Sequence, residues 1–364
     1  MVTLNKKIFK NKKILITGNS GFIGSWLSLY LLNLQCKVYG ISSGRFNKNN
    51  IFNLLNLKRK IKNYNINLTN EKQVKKFFKG KKFDIIFHLA AEPLVYDGFI
   101  NPKKMILNNI NSTLNVLDYF RENQKTVLIN FTTDKVYKNE DKKDIRFKES
   151  DKLGGLDPYS FSKSAVDLMT TMWKSTYFNK KNIFKYCNLR SGNIIGGGDW
   201  NDKRIMVDIV KHHFLKRKIY IRQPNSYRPW IHVVEACLSM LLIAQGLIKN
   251  PYLSGDYNIG PNTGQEKNIK WIFQNSLKIL KVKSKKINIK KNIKKFPEKS
   301  FLGLNNKKFI KKFNLNFNLS TFDRLKFTLD WYYVFFKNKK EIENFTYNQI
   351  KVIHKKLNFK VKKR

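Results

Sequence analysis

Cysteine is scarce in this chain and irregularly spaced. The 364 residues include only Cys36, Cys187 and Cys237, an odd number without the paired spacing of a zinc or redox motif. A disulfide-stapled scaffold and a cysteine metal centre are therefore excluded, and we predict no metal ion. This usage is typical of a reduced protein, so we expect a cytoplasmic location.

Long apolar runs are also lacking. The longest, "WLSLYLLNL", is too short to cross a bilayer. The few apolar residues of "ILITG" near the N-terminus fall far short of the apolar region of a signal peptide. With 42% hydrophobic residues the chain can still bury a core. We therefore expect a globular protein with no membrane partner.

Acidic residues are few, at 25 against 72 basic residues, and the formal net charge is +47. Such a charge is typical of proteins that bind nucleic acid or anionic membranes. The excess is lysine, however, and it is spread over the whole chain together with asparagine and isoleucine. Because these three residues share A+T-rich codons, a biased genome explains the composition. No nucleic-acid reading motif is present, so we predict no nucleic-acid partner.

The first half of the sequence alternates strand and helix patterns. The runs "KKILIT", "KVYGIS", "FDIIFHLA" and "TVLINFTT" predict strands, and "SWLSLYLLNL" and "NSTLNVLDYFR" predict helices between them. This alternation indicates parallel βαβ units, and hence an α/β fold with a doubly wound parallel sheet of the Rossmann type. Ligands of such sheets bind beyond the C-terminal ends of the strands.

The pattern becomes irregular and rich in loops after about residue 190. We therefore predict a dinucleotide-binding domain of residues 1–190 plus about 231–258. Residues 191–230 and 259–364 would form a smaller substrate-binding domain that closes over the sheet.

A glycine turn follows the first predicted strand. "ILITGNSGFIG" places Gly18, Gly21 and Gly24 between a strand and a helix. Glycines at these points allow a tight turn, close approach of the backbone to a pyrophosphate and close helix packing, while the helix N-terminus attracts phosphate. The turn therefore predicts a dinucleotide cofactor.

The second predicted strand lacks the acidic residue that usually holds the adenosine ribose. It ends instead in Ser42 and Ser43, followed by Arg45. An arginine at this point can accept a 2′-phosphate, so these residues leave both NAD and NADP open.

Tyr159 and Lys163 lie four residues apart in "DPYSFSK". On a helix this spacing puts both side chains on one face, with Cβ atoms about 5–6 Å apart. A phenol with a pKa near ~10 becomes a base at neutral pH if its anion is stabilised by about 4 kcal/mol. A neighbouring ammonium and a nicotinamide cation supply that stabilisation, so the pair predicts a catalytic base.

Asp134 and Lys135 place an acid directly beside a base, after the apolar run "VLINF". Consecutive strand residues face opposite sides of a sheet. The two side chains therefore reach one substrate only if the chain turns just after Thr133. The alternative interpretation is an exposed ion pair at the end of a strand.

Together these motifs resemble those of the extended short-chain dehydrogenases/reductases that act on nucleotide sugars. The glycine turn, "HLAA", Tyr-x-x-x-Lys and "RSGN" carry the family resemblance. The segments "TTDKVY", "GGLDPYSFSK", "GNIIGGGDW" and "RPWIHV" are similar to those of the members that dehydrate CDP-glucose. The resemblance extends from about residue 10 to 355 and implies a lyase with bound NAD that serves deoxysugar biosynthesis for surface polysaccharides such as the lipopolysaccharide O-antigen.

The resemblance also implies a reaction and the residues that perform it. Hydride leaves C4 of the sugar for NAD⁺, water is eliminated across C5 and C6, and the hydride returns to C6. Tyr159, assisted by Thr133 and Lys163, would act on the C4 hydroxyl. Asp134 would be the acid at C6 and Lys135 the base at C5, where related thymidine-sugar dehydratases carry a glutamate.

Two sets of binding residues follow from the same resemblance. The cofactor set is Gly18, Ser20, Gly21, Phe22, Ile23, Gly24, Ser42, Asn67, Leu68, Ala90, Ala91, Tyr159 and Lys163. The substrate set is Glu92, Asn193, Arg204, Arg222 and Arg228. Arginine suits the diphosphate because its guanidinium binds phosphate oxygens in a bidentate manner.

Three alternatives stay open at the level of sequence. A sugar-nucleotide epimerase would use Tyr159 and Lys163 but would not need an acid–base pair after Thr133. A dehydratase could instead act on a UDP-, GDP- or dTDP-linked sugar. A non-catalytic dinucleotide-binding scaffold would have no need of these three side chains, all of which are present. We further expect a homo-oligomer, either a dimer or a tetramer.

Overall fold

Seven parallel strands form the central sheet of this protein, seen in a computed structural model that describes residues 2–43, 49–142, 144–179, 183–217, 219, 221, 223–282 and 299–362. The order across the sheet is β12-β8-β6-β5-β2-β3-β4, and every neighbouring pair is parallel. The described strands are β1 (Val2–Asn5), β2 (Lys13–Thr17), β3 (Lys37–Ser42), β4 (Lys62–Asn65), β5 (Ile85–His88), β6 (Val127–Phe131), β7 (Arg146–Phe147), β8 (Tyr186–Ser191), β9 (Asn193–Ile195), β10 (Tyr227–Arg228), β11 (Trp230–His232), β12 (Gly255–Ile259), β13 (Lys267–Asn268), β14 (Gly303–Leu304) and β15 (Phe359–Lys362).

Helices cover both faces of this sheet. They are α1 (Lys6–Phe9), α2 (Phe22–Asn33), α3 (Ile51–Leu54), α4 (Leu57–Lys60), α5 (Glu71–Phe78), α6 (Val95–Ile100), α7 (Pro102–Glu122), α8 (Pro158–Tyr177), α9 (Ile205–Leu215), α10 (Val233–Lys249), α11 (Ile269–Ile279), α12 (Lys307–Phe313), α13 (Thr321–Lys337) and α14 (Ile342–Lys356). Within the described ranges, no helix combines the length and apolarity that a membrane span requires.

The two faces of the sheet bury separate hydrophobic cores. In β2, Ile14 and Ile16 belong to the core covered by α2 and α10, whereas Leu15 belongs to the core covered by α5 and α7. Side chains alternate across a strand, so an uninterrupted apolar run such as "KKILIT" supplies both cores at once. The α/β fold with a doubly wound parallel sheet is therefore confirmed.

Beyond β8 the chain leaves the sheet for short strand pairs and helices. β9 pairs with β11, β10 pairs with β13, and β12 then returns to the edge of the sheet beside β8. The predicted boundary near residue 190 thus falls at the end of β8. The division of the chain into two domains stays a prediction.

A buried ion pair fixes α13 against the start of α10. The Arg324 guanidinium donates from Nε and Nη2 to the two carboxylate oxygens of Glu235, both at 2.8 Å, and both side chains are fully buried. Glu235 also accepts from the backbone N–H of His232 at 2.8 Å. The imidazole Nδ1 of His232 in turn accepts from Val234 N at 3.3 Å and so caps α10.

We expect His232 to make the fold sensitive to acid. Burial, reinforced by the nearby charge of Arg324, lowers the pKa of His232 from 6.5 to about 3. The folded state therefore binds fewer protons than the unfolded state between these values. Its contribution to stability is complete above pH 6.5 and is lost as the pH falls, by about 1.4 kcal/mol per pH unit for this group.

His232→Asn isolates this contribution, because an asparagine side chain can still accept the Val234 N–H at the helix N-cap. Between about pH 7 and about pH 5.5, the free energy of unfolding measured with urea should fall less steeply in the variant, by ~1.2 kcal/mol in total over this interval. Equal slopes in the two proteins would contradict the assignment, whatever the offset between them.

Candidate functional site

A cavity of about 980 Å³ opens beyond the C-terminal ends of β6 and β8. The segments that follow these two strands line the cavity, as do residues of helices α9 and α11. It lies where ligands of a doubly wound sheet are expected. The predicted site residues that it brings together are Ile23, Ala91, Thr133, Asp134, Lys135, Tyr159, Lys163, Asn193, Arg204 and Arg228.

Two residues of the predicted substrate set are not placed there. Glu92 does not line the cavity, because its side chain turns toward α7 and its Oε1 accepts from Asn108 Nδ2 at 3.0 Å. Arg222 lies outside the described residues, as does Arg45. Asn193, Arg204 and Arg228 are therefore the members of the substrate set that the structure brings into the cavity.

The predicted glycine turn joins β2 to α2. Gly18 has a φ of +73°, and a Cβ atom on Gly24 would lie 2.2 Å from the carbonyl oxygen of Gly18. Gly21 is the N-cap of α2 and makes no side-chain capping hydrogen bond. The first backbone N–H groups of α2 therefore offer donors to an anion at the positive end of the helix dipole. This geometry fits the pyrophosphate of a dinucleotide.

The ends of β3 and β4 supply polar groups at the adenosine side of this turn. Among the described residues, the buried Ser42 Oγ and Asn19 Oδ1 have no hydrogen-bond partner. Buried polar atoms are normally hydrogen-bonded. These two atoms therefore fit a ligand that carries hydroxyl groups, such as the ribose of a dinucleotide. Asn67, after β4, instead uses its Oδ1 in a turn, accepting from Thr69 N at 3.1 Å and from Thr69 Oγ1 at 2.9 Å.

Asn19 is a candidate that the sequence did not reveal. Its side chain lies against the backbone of β3, where a Cβ atom on Gly40 would be 2.3 Å from Asn19 Cγ. Its Nδ2 donates to Asn63 Oδ1 at 2.7 Å. The glycine within "KVYGIS" was the available signal, because glycine inside a strand marks a close approach of another group.

Tyr159 and Lys163 face the cavity from the first half of α8. This helix starts where its sequence predicts, since Asp157 Oδ1 accepts from Ser160 N at 3.0 Å and Pro158 occupies the first turn. Lys163 is buried, and its Nζ donates to the carbonyl oxygen of Phe131 at 2.8 Å. The structure thereby holds the ammonium at the end of β6.

Burial shifts the titration of both side chains toward their neutral forms. It raises the pKa of Tyr159 to about 12, although a hydrogen bond with Thr133 opposes the shift. It lowers the pKa of Lys163 to about 8, with the charge of Asp167 opposing. The protein groups alone therefore keep the phenol protonated, and deprotonation at neutral pH needs a further positive charge next to it.

The chain turns immediately after β6, as a shared acid–base site requires. The strand ends at Phe131, two residues earlier than the sequence suggested, and Thr133 caps a short 3₁₀ helix of Asp134–Val136. Thr133 Oγ1 accepts from Lys135 N at 3.4 Å and donates to Asp134 Oδ1 at 3.0 Å. Because of this turn, Asp134 and Lys135 both line the cavity instead of facing opposite sides of the sheet.

Asp134 is the most unusual group at this turn. Its side chain is buried, and its Oδ2 has no hydrogen-bond partner among the described residues. Burial raises the pKa of Asp134, while Lys135, Thr133 and Arg228 act in the opposite direction. A raised pKa and an unengaged oxygen together describe a carboxyl group that can carry a proton and donate it into the cavity.

Two arginines line the same cavity as the turn after β6. Arg204 lies at the start of α9 and pairs with Asp199, with 3.3 Å between Nη1 and Oδ2. Arg228 is buried in β10 and donates to the Tyr227 carbonyl at 2.8 Å. The face of α11 that includes Phe273 and Gln274 completes this region. Nothing in the sequence distinguishes that face from an ordinary amphipathic helix.

His88 has a structural role. Its two ring nitrogens lie 2.8 Å from Thr17 Oγ1 and 3.0 Å from Thr113 Oγ1. Two threonine side chains, and not backbone groups, therefore satisfy this buried histidine.

Comparison with known proteins gives consistent matches. Residues 14–260 match the NAD dependent epimerase/dehydratase family. A CDP-glucose 4,6-dehydratase from Salmonella typhimurium is 30% identical over 276 residues, which are 74% of this chain and 76% of the relative. A probable dTDP-glucose 4,6-dehydratase from Sinorhizobium fredii is 28% identical over 68% of this chain and 71% of its own.

Solved structures share the fold. The dTDP-glucose 4,6-dehydratase from Bacillus anthracis in complex with NAD superposes with a TM-score of 0.74 at 21% identity, covering 92% of this chain and 99% of its own. The UDP-glucose 4-epimerase of Thermotoga maritima gives 0.76 at 20% identity, covering 88% and 98% respectively.

Proposed function

Because this chain belongs to the NAD dependent epimerase/dehydratase family, we propose that it is an NAD-dependent lyase that converts CDP-glucose to CDP-4-keto-6-deoxyglucose. Such a product serves the synthesis of deoxysugars for surface polysaccharides. The observation that carries the proposal is the turn after β6, which brings Asp134 and Lys135 into the cavity that also holds Thr133 and Tyr159. An epimerase would need only the latter two with Lys163.

The first step would be oxidation at C4. Tyr159 would take the proton of the C4 hydroxyl, and Thr133 would hold the same oxygen by a hydrogen bond. Lys163 would contribute the positive charge that favours the phenolate, since burial alone raises the pKa of Tyr159. NAD⁺ held at the glycine turn of Gly18, Gly21 and Gly24 would supply the hydride acceptor and donor that this chemistry needs.

The elimination would then use the neighbouring acid and base. The C4 ketone makes the C5 hydrogen acidic, and Lys135 would remove it as a proton. Asp134 would protonate the C6 hydroxyl, which leaves as water when the C5–C6 double bond forms. Burial raises the pKa of the Asp134 carboxyl and so favours its protonated form, and its unengaged Oδ2 would deliver the proton.

The remaining predicted residues would hold the substrate. Arg228 and Arg204 would bind the diphosphate, since guanidinium groups match phosphate oxygens. Asn193, at the start of β9, would donate to the same part of the nucleotide. Arg222 stays a prediction from sequence alone.

The direct test is to incubate the purified, NAD-loaded protein with CDP-, UDP-, GDP- and dTDP-glucose and to measure the absorbance of the 4-keto sugar in alkali. We expect product from CDP-glucose and little from the others. Product from none of the four would refute the dehydratase proposal, and product from another nucleotide alone would refute the choice of CDP-glucose.

The protein would act as a homo-oligomer through an outer apolar face of α7 and α8. The face consists of Leu107, Phe161, Leu168 and Met172, whose side chains are 44%, 49%, 54% and 45% exposed. The spacing of the last three puts them on one side of α8, and α7 packs along this helix. A second copy of the same face would cover these side chains in a symmetric contact.

Glutamate at Leu168 and Met172 together should convert the oligomer to a monomer, because two like charges would be buried at the contact. Light scattering after size exclusion measures the mass. Val352→Glu is the matched control, since Val352 is 49% exposed on α14, a different helix. A monomeric wild-type protein, or an unchanged mass in the double variant, would refute this interface.

A cytoplasmic location is part of the same proposal. The free cysteines Cys36, Cys187 and Cys237 are all buried, which suits a protein that has no need of disulfides.

A further inference from the structure

A buried carboxylate lies one helical turn beyond Lys163. Asp167 on α8 is fully buried, and its two oxygens accept from the Arg190 guanidinium of β8, Oδ1 from Nη2 at 2.7 Å and Oδ2 from Nε at 2.9 Å. Arg190 also pairs with Asp256, with 3.0 Å between Nη2 and Oδ2. Neither Asp167 nor Arg190 lines the cavity.

Asp167 is connected through Thr132 to the turn that follows β6, residues 132–136, which we call the catalytic turn. Thr132 Oγ1 donates to Asp167 Oδ2 at 3.2 Å, and Thr132 N donates to the Leu189 carbonyl at 2.9 Å. Thr132 is the first residue after β6, so its backbone is held by β8 and its side chain by α8. These two bonds set the direction in which the chain enters the turn at Thr133.

Asp167 is also connected to the charge of Lys163. The two residues are four apart on α8, and the negative charge of Asp167 opposes the loss of the Lys163 proton that burial favours. His88 on β5 also interacts with Lys163, and its pKa of about 3 leaves it neutral. Among the described residues, Asp167 is therefore the anion that acts on Lys163.

The hydrogen bonds of Asp167 favour its ionised form. Burial raises the pKa of Asp167, and the Arg190 hydrogen bonds and charge oppose that shift. Asn188 Nδ2 adds a further donor to Oδ1 at 3.3 Å. Guanidinium and amide N–H groups cannot accept a proton in return, so protonation of Asp167 would break at least one of these bonds.

We propose that Asp167 is a positioning residue for the reaction, which anchors the catalytic turn through Thr132 and maintains the positive charge of Lys163. The inference rests on the proposed function for its kinetic consequences only. Asp167 does not touch the substrate; it acts through two residues on separate elements. Through Thr132 it positions Thr133 and Asp134, and through its own charge it acts on the ammonium group of Lys163.

Asp167→Asn tests the proposal, and Asp256→Asn is the matched control. Both substitutions remove a carboxylate charge that faces Arg190, but only the first removes the charge that acts on Lys163. We expect Asp167→Asn to lower kcat at least about 10-fold with KM within about 2-fold. The alkaline limb of its pH profile should shift down by about one unit, because Lys163 then loses its proton more readily.

A second readout needs no substrate. The rate at which a small acylating reagent labels Lys163, followed by peptide mass spectrometry, rises with pH as the amine becomes neutral. In Asp167→Asn the rise should occur about one unit lower than in the wild type and in Asp256→Asn. Because labelling is independent of the sugar nucleotide, it separates failure of this inference from failure of the proposed function.

Thr132→Val separates the two connections, since it removes one hydrogen bond and leaves the ion pair. It should lower kcat without moving either the alkaline limb or the labelling curve. A folded Asp167→Asn protein that matches Asp256→Asn in kcat, pH profile and labelling would overturn the proposal. If Asp167→Asn does not fold, a wild-type kcat in Thr132→Val would overturn it.

Discussion

Tyr159→Phe is expected to abolish turnover of CDP-glucose, lowering kcat by ~10²–10⁴-fold through loss of the base at C4. Phenylalanine fills the same volume but has no hydroxyl to exchange a proton with the sugar. Of the residues of α8, Tyr159 and Lys163 are the two that line the cavity, so no other hydroxyl of this helix replaces the phenol. Oxidation at C4 precedes every later step, and the variant should therefore form neither product nor NADH when a single turnover is followed by absorbance.

Tyr177→Phe is the control for this experiment. Tyr177 is the last residue of α8 and is 41% exposed, and the substitution removes the same phenol hydroxyl at a position that does not line the cavity. Its activity should equal that of the wild type. Appreciable C4 oxidation by Tyr159→Phe would instead remove Tyr159 from the proposed mechanism.

Asp134→Asn and Lys135→Met are expected to stop the reaction after the first step. Each should lower the rate of product formation by ~10²–10⁴-fold, the range for loss of a general acid or base. Both variants retain Thr133, Tyr159 and Lys163, so C4 oxidation should proceed and NADH should accumulate. Asparagine can still accept the Thr133 hydroxyl that Asp134 Oδ1 accepts at 3.0 Å, which limits structural disturbance.

Exchange at C5 distinguishes the two roles. In deuterated water, Asp134→Asn should still incorporate deuterium at C5 of the oxidised sugar, because its base is intact. Lys135→Met should not. Mass spectrometry of the recovered nucleotide sugar measures the difference. Exchange in the second variant but not in the first would reverse the assignment, and wild-type turnover in either would remove that residue from the elimination.

Asp134 should also affect the pH dependence of stability, in the direction opposite to that of His232. Burial raises the pKa of Asp134 above its value of 3.8 in an unfolded chain. Its burial thus costs stability at neutral pH, and the cost diminishes as the pH falls through the folded value. Asp134→Asn should therefore stabilise the protein at neutral pH, which is the usual relation between a strained catalytic group and the fold that holds it.

Local patterns in the sequence determined the sheet, the glycine turn and the pairing of Tyr159 with Lys163. Apolar runs separated by helices can be read directly, because strand and helix periods are properties of neighbouring residues. The four-residue spacing of Tyr159 and Lys163 is likewise local, and α8 places both side chains in the cavity. The sequence pattern predicts that β6 extends to Thr133, but the strand ends at Phe131, because "TT" continues the strand pattern and yet begins a turn.

The protonation behaviour of these groups and the identity of their partners depend on contacts between distant parts of the chain. Burial of Asp134, the unengaged Oδ2 and the ion pair of Asp167 with Arg190 arise where α8 and separate strands meet. The side chain of Glu92 likewise points toward Asn108, a partner on α7 that the local sequence around Glu92 does not reveal. A pKa depends on desolvation and on charges brought close by packing. Sequence alone therefore named the acid and the base, whereas burial in the packed fold raised the pKa of Asp134.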